Sequence, residues 1–165
     1  MIRGLFEAHL PVGDLNRSIP FYEALGLELA HRSDVLALLW IDKPDSWLGL
    51  WESDRVHLPY HPSIRHIAFR VDLDRIEQAS GWLHERGVEV REAFGFPPDR
   101  QPLVLNDNPQ ALTAIYFADP DGNSLEFIAP LRLDVEEAFP MMELREWYRQ
   151  KGGPEHELGA KQPRE

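Results

Sequence analysis

Two stretches of this chain read alike, and that likeness limits what it can fold into more than any other feature. DLNR at 14–17 returns as DLDR at 72–75, an offset of 58 residues, and His9 returns as His66, an offset of 57, so a single gap aligns the halves. In the first half, LFEAHLPV (5–12) sets Phe6, Ala8, Leu10 and Val12 on one face and Glu7, His9 and Pro11 on the other, the period of a half-buried strand. Asp14 then stands where an N-cap would, before LNRSIPFYEALG, whose Leu15, Ile19, Tyr22 and Leu25 have helical spacing and which closes at Gly26. Pro20 lies beyond the first turn and predicts a bend, or a tighter opening turn, near Ser18. Three strands follow, LELAHR (27–32), VLALLWI (35–41) and WLGLWES (47–53), parted by Ser33-Asp34 and by a turn at Lys43-Pro44-Asp45.

The second half starts the order again. IRHIAFRV (64–71) places Ile67, Phe69 and Val71 opposite His66, Ala68 and Arg70, and Asp72 opens LDRIEQASGWLHERG, which reads as one helix ending at Gly87. Strands are expected at VEVREA (88–93), LTAIYFA (112–118) and SLEFIAP (124–130), the last two joined by a turn at Asp119–Asn123. The expectation is an α+β fold of two β-α-β-β-β modules, 1–58 and 59–130, forming one domain between them. An insertion, FGFPPDRQPLVLNDNPQ (94–110), looks too irregular for a core strand and reads as a lid, a binding loop or a surface excursion. Residues 131–165 belong to neither repeat. A helical turn or two around Pro140, then a helix and a disordered tail, are expected there.

Composition narrows the function. The 17 Lys and Arg are outnumbered by 28 Asp and Glu, a formal charge of −11, too acidic to neutralise nucleic-acid phosphates or to favour an anionic membrane surface. No apolar run suits a secretory signal or a membrane span, so a cytoplasmic location is expected. Cysteine is absent, which removes disulfides, thiolate zinc sites, iron–sulfur clusters and cysteine nucleophiles. A metal here would need histidine nitrogen or carboxylate oxygen.

Three such donors occupy related places: His9 and His66 on the first strands of the two halves, and Glu126 on the last strand of the second. Alternation puts each opposite its apolar neighbours, away from the face that packs helices. Two imidazoles and a carboxylate leave positions open for substrate and suit Mn²⁺, Fe²⁺, Zn²⁺, Ni²⁺ or Co²⁺. A single strand histidine is more often structural, so the repeat is what singles these out.

HLPVGDLNRSIPFYEALGLEL, RHIAFRVD and, above all, IYFADPDGNSLEFIAP make residues 5–130 resemble the vicinal-oxygen-chelate superfamily. That group includes glyoxalase I, fosfomycin-resistance thiol transferases, extradiol dioxygenases, methylmalonyl-CoA epimerase and metal-free bleomycin-binding proteins. The resemblance implies a cupped pseudo-barrel whose divalent metal chelates two substrate oxygens, with His9, His66 and Glu126 at the ligand places. A fourth ligand would fall at Gly49, which cannot bind metal; this points to the three-ligand branches rather than to glyoxalase I. Glu52 has the opposite strand parity. Tyr116, ten residues before Glu126, resembles a tyrosine that hydrogen-bonds substrate in those branches, and Arg70 shares the His66 face and could meet an anion or a neighbouring carboxylate.

Other residues carry less. Trp40, Trp47 and Trp51 suit a cavity wall or a core, His57 and His61 a solvated linker. Ser124 has no triad partners in view, and DPDG lacks the rest of a calcium loop. Two function classes remain: a metal-dependent enzyme acting on a small oxygen-rich substrate by thiol addition, isomerisation or ring cleavage, and a metal-free binding protein of the bleomycin-resistance kind. A regulatory subunit built on the paired scaffold is a third. Fosfomycin itself fits poorly, since Pro11 replaces a hydroxyl residue and the insertion lacks a counterpart of that branch's cation loop. A homodimer is expected, with cups formed within one chain or between two.

Overall fold

A computed structural model describes residues 5–56, 65–105, 111–131 and 139–151. Its strands fall into a four-stranded sheet ordered β1-β4-β3-β2 and a five-stranded sheet ordered β5-β8-β7-β6-β9. The first comprises β1 (Glu7–Val12), β2 (Glu28–Arg32), β3 (Leu36–Asp42) and β4 (Ser46–Glu52); the second comprises β5 (His66–Arg70), β6 (Leu103–Leu105), β7 (Leu112–Ala118), β8 (Ser124–Pro130) and β9 (Met142–Glu143). Removing β9 leaves the same order twice, so the repeat expected from the sequence is a repeat of topology. Both sheets are open, and neither closes on itself as a barrel.

Cα proximity gathers the chain into two compact units, one of residues 1–68, 81–89 and 117–125, the other of 69–80, 90–116 and 126–165. In the first unit, β1 and β4 are parallel and the remaining pairs antiparallel. Helix α1 (Leu15–Ala24) buries Leu15, Ile19 and Tyr22, and Leu10, Val12, Ala37, Leu39, Leu48 and Leu50 of the sheet are all sealed from solvent. Each such leucine, isoleucine or valine contributes about 1.5–3 kcal/mol by leaving water. The Asp14 carboxylate caps α1 by accepting from the Asn16 N–H at 2.7 Å. The helix runs through Pro20, and the tightening appears in the opening turn, where the Arg17 N–H donates to the Asp14 carbonyl. Gly26, at φ +99°, ends it in the left-handed conformation that glycine tolerates.

Three expectations for the second half are corrected. The single helix over 73–87 is two short ones, α2 (Leu73–Ile76) and α3 (Ala79–His84). Asp72 makes no side-chain cap, unlike Asp14, and the helical hydrogen-bond run breaks at Glu77-Gln78. VEVREA is not a strand. The strand that pairs β7 is β6, inside the segment read as too irregular, with Leu103 opposite Ala114 and Leu105 opposite Leu112. The helical turns expected around Pro140 are absent from its described neighbours 139–141, residues 132–138 lying outside the described residues; Met142 and Glu143 instead pair with Val104 and Leu103 before α4 (Leu144–Lys151) begins, burying Leu144 and Trp147. His57, His61 and the tail from 152 lie outside the described residues. Among the described residues, no helix is long and apolar enough to cross a membrane.

Candidate functional site

The parallel register of β1 and β4 sets Glu7 beside Trp47, His9 beside Gly49 and Pro11 beside Trp51. These residues lie on the sheet face turned away from α1, where His9 and Trp51 are exposed and Trp40 and Trp47 half-buried, so the tryptophans are not core residues. The His9 ring lies directly over Gly49. A Cβ there would meet Nδ1 at 2.1 Å and Cε1 at 2.4 Å, so glycine is what lets the imidazole sit flat on the neighbouring strand. His9 Nδ1 accepts the Trp51 indole N–H at 2.9 Å, and its Nε2 faces Glu7 Oε1 at 3.5 Å. Glu52 points elsewhere, its Oε2 accepting the Leu15 N–H at 2.9 Å at the start of α1.

On β5, His66, Ala68 and Arg70 are exposed while Ile67 and Phe69 are half-buried, as alternation requires. His66 Nδ1 lies 3.1 Å from Ser124 Oγ, which gives Ser124 a holding role. In the second unit the structure brings Glu126 and Tyr116 together. Both are buried, at 6% and 4% exposure, and their side chains are hydrogen-bonded. Burial, and then the Glu126 charge and hydrogen bond, push the Tyr116 phenol far above its usual range, with Arg91 pulling weakly the other way. Tyr116 therefore remains a hydrogen-bond donor at any physiological pH.

The surroundings of Tyr116 were not legible in the sequence. The Arg91 guanidinium stands 5.5 Å from its ring centre, and the Phe94 ring meets it edge-on at 5.5 Å. Ala93, Leu103 and Ala114 pack with it, bordered by Phe96, Leu105, Ile128 and Met141. Gln101 ties this region together. Its amide Nε2 donates to the Arg91 carbonyl at 2.7 Å while Oε1 accepts the Tyr116 N–H at 3.0 Å, and the Arg91 N–H donates to the Tyr116 carbonyl at 2.8 Å. A buried glutamine amid Pro and Arg was the available signal, and periodicity cannot see it.

The DPDGN motif is structural. Asp119 accepts the backbone N–H groups of Asp121 and Asn123 at 2.9 and 2.8 Å, the Tyr22 hydroxyl at 2.9 Å and Asn123 Nδ2 at 2.6 Å. Arg17 pairs with Asp121 at 2.5 Å, Arg65 Nε donates to Asn123 Oδ1 at 2.5 Å, and Asn123 Nδ2 also reaches the Pro11 carbonyl at 3.0 Å. Arg65 holds φ +65°, and its guanidinium donates to the Val56 carbonyl. Gly122, at φ +78°, makes the turn.

His9 and His66 belong to the first unit, and Glu126, Tyr116 and Arg70 to the second. Among the described residues, no three His, Asp or Glu side chains of one chain gather closely enough to hold a metal ion.

Residues 4–127 match the family model of the Glyoxalase/Bleomycin resistance protein/Dioxygenase superfamily. The chain is 33% identical to the metallothiol transferase FosB of Staphylococcus epidermidis over 119 residues, 70% of this chain and 73% of that protein. It is 31% identical to the glutathione transferase FosA of Serratia marcescens over 129 residues, 76% and 80% of the two chains. Among solved structures, integron cassette protein HFX_CASS4, from the mobile metagenome of a Halifax Harbour sewage outfall, aligns with a TM-score of 0.60 at 30% identity, covering 78% of this chain and 99% of that one. Fosfomycin resistance protein FosX of Mesorhizobium loti shares the fold, with a TM-score of 0.54 at 21% identity over 78% of this chain and 93% of that one.

Proposed function

Since this chain belongs to the Glyoxalase/Bleomycin resistance protein/Dioxygenase superfamily, we propose that it is a divalent-metal-dependent transferase that adds a thiol to a small, oxygen-bearing electrophile. The observation that carries this is the buried Tyr116–Glu126 pair, in a chain whose relatives are a metallothiol transferase and a glutathione transferase. His9, His66 and Glu126 form the metal set. Their chemistry fits, since two imidazoles and a carboxylate without sulfur suit a first-row divalent ion. Bound there, a divalent ion would polarise a substrate oxygen as a Lewis acid.

The chain's own side chains supply the rest. Tyr116 donates its hydroxyl hydrogen to Glu126 and so positions that carboxylate within the metal set. Ser124 fixes the His66 ring through Nδ1, leaving Nε2 as the coordinating nitrogen. Arg70 and Arg91 supply positive charge for an anionic substrate. In the transfer, the thiolate sulfur forms the new C–S bond, the C–O bond breaks and the leaving oxygen keeps the electron pair. Modules 1–58 and 59–130 work as one functional domain, and the metal set is completed in a homodimer, His9 coming from one copy and His66 with Glu126 from the other. The face of half-buried and exposed tryptophans around His9 supports that pairing.

The test is metal content by mass spectrometry after loading with Mn²⁺, Ni²⁺ or Zn²⁺, with thiol consumption measured against fosfomycin, simple epoxides and α-oxoaldehydes. The expected result is a stoichiometric ion, abolished in His66→Ala and Glu126→Gln, and thiol loss with at least one electrophile. A wild-type dimer that takes up no ion refutes the reading. One observation favours metal-free binding instead: His9 already engages Trp51 and faces Glu7. Small-molecule binding by that ion-free dimer would establish it.

A further inference from the structure

We propose that Trp51 is a displaceable cap on the metal-binding nitrogen of His9 and that Glu7 orients the same ring, so that this pair of positioning residues sets how tightly the ion is held. This rests on the metal-dependent reading above and specifies the atoms on one side of the site.

An indole N–H can only donate, so the Trp51 hydrogen bond at 2.9 Å requires a lone pair on His9 Nδ1. The proton of the neutral ring is then on Nε2, the nitrogen that faces Glu7 Oε1 at 3.5 Å. Glu7 is itself held, because its Oε2 accepts the Trp47 indole N–H at 2.8 Å. A carboxylate on the Nε2 side, with Nδ1 unprotonated, leaves Nδ1 as the nitrogen that this ring can offer to a metal. The ring is already in the tautomer needed to bind through Nδ1, and the Trp51 N–H engages the lone pair that a cation would need.

Strand register produces this arrangement. Glu7 lies directly across from Trp47, and Trp51 lies diagonally across from His9, two residues beyond Gly49 on β4. Trp51 is 45% exposed, so swinging it aside breaks one hydrogen bond and gives up the packing of the covered part of its ring. Removing that competing hydrogen bond should tighten ion binding about three- to tenfold. Removing the orienting carboxylate should weaken it about tenfold or more.

The experiment is calorimetric titration of the full-length chain with Zn²⁺ and Mn²⁺, for wild type, Trp51→Phe and Glu7→Gln, with thermal melts to verify folding. The expected outcome is tighter binding in Trp51→Phe, weaker binding in Glu7→Gln, and a metal-induced change in tryptophan fluorescence that is lost in Trp51→Phe. Merely structural roles would move both variants in the same direction, and that result overturns the inference. Wild-type binding with Trp51→Phe within twofold of it also overturns the cap while leaving the metal site standing. No uptake by any of the three proteins defeats both.

Discussion

Truncating Asp119 to alanine is expected to destabilise the fold by about 4 kcal/mol, a cost that arises from orphaned donors. Its carboxylate accepts four hydrogen bonds, from the N–H groups of Asp121 and Asn123, the Tyr22 hydroxyl and Asn123 Nδ2, at 2.6 to 2.9 Å. Asp119 is 5% exposed, while Tyr22 and Asn123 are fully buried, so water cannot replace the lost acceptor. Each buried unsatisfied donor costs about 1–3 kcal/mol, and partial relaxation keeps the total below the simple sum. Against a stability of about 5–15 kcal/mol for a domain, that is a large share. Equilibrium urea unfolding measures it, with an unchanged m-value showing that the transition is the same. Tyr22→Phe removes one donor and should cost about 1–2 kcal/mol. In the double variant the losses should fall short of additivity by about 1 kcal/mol or more, because the Tyr22 hydroxyl is no longer there to be orphaned. An Asp119→Ala cost under about 1 kcal/mol, or strict additivity, would refute the idea that this buried acceptor organises the turn.

Gln101→Ala should cost about 2–3 kcal/mol in the same assay, since it orphans the Arg91 carbonyl and the Tyr116 N–H together; a loss within about 0.5 kcal/mol of zero would contradict this. Gly49→Ala should force the His9 ring off β4, read as a shift of its ring nitrogens in NMR, and unchanged resonances would contradict the close packing. Stability should also fall in strong alkali. Burial holds the phenols of Tyr22 and Tyr116 protonated well above their ordinary range, so above about pH 10 the unfolded chain sheds protons that the folded chain keeps. Each tyrosine then removes about 1.4 kcal/mol per pH unit, and Tyr22→Phe or Tyr116→Phe should flatten the slope by one such share. An identical slope in wild type and both variants would rule this out.

The repeated topology was legible because strand alternation and turn residues act locally. Leu112–Ala118 and Ser124–Pro130 begin and end where the pattern placed them, on either side of a turn whose glycine is at φ +78°. VEVREA misled because its alternation is real, with Val88 and Val90 buried and Arg91 bonded to Tyr116, yet the paired run Leu112–Ala114 of β7 goes to Leu103–Leu105. That choice is made by tertiary pairing, which no window of the sequence contains. The face of His9 was readable from parity alone. Its ring contacts were not, because they depend on the register of a parallel partner 40 residues away, where Glu7 meets Trp47.

Gln101 gives the sheet a rung made from a side chain. Between Arg91 and Tyr116 its primary amide does the work of a peptide group, accepting on one side and donating on the other. The chain can therefore leave the ladder after Arg91 and rejoin it at Leu103 without leaving the ladder open between them. The rung stays closed as long as residue 101 within that excursion keeps its amide. Loop and scaffold are thereby fastened to each other at one residue, which belongs to the excursion yet holds the strand that carries Tyr116.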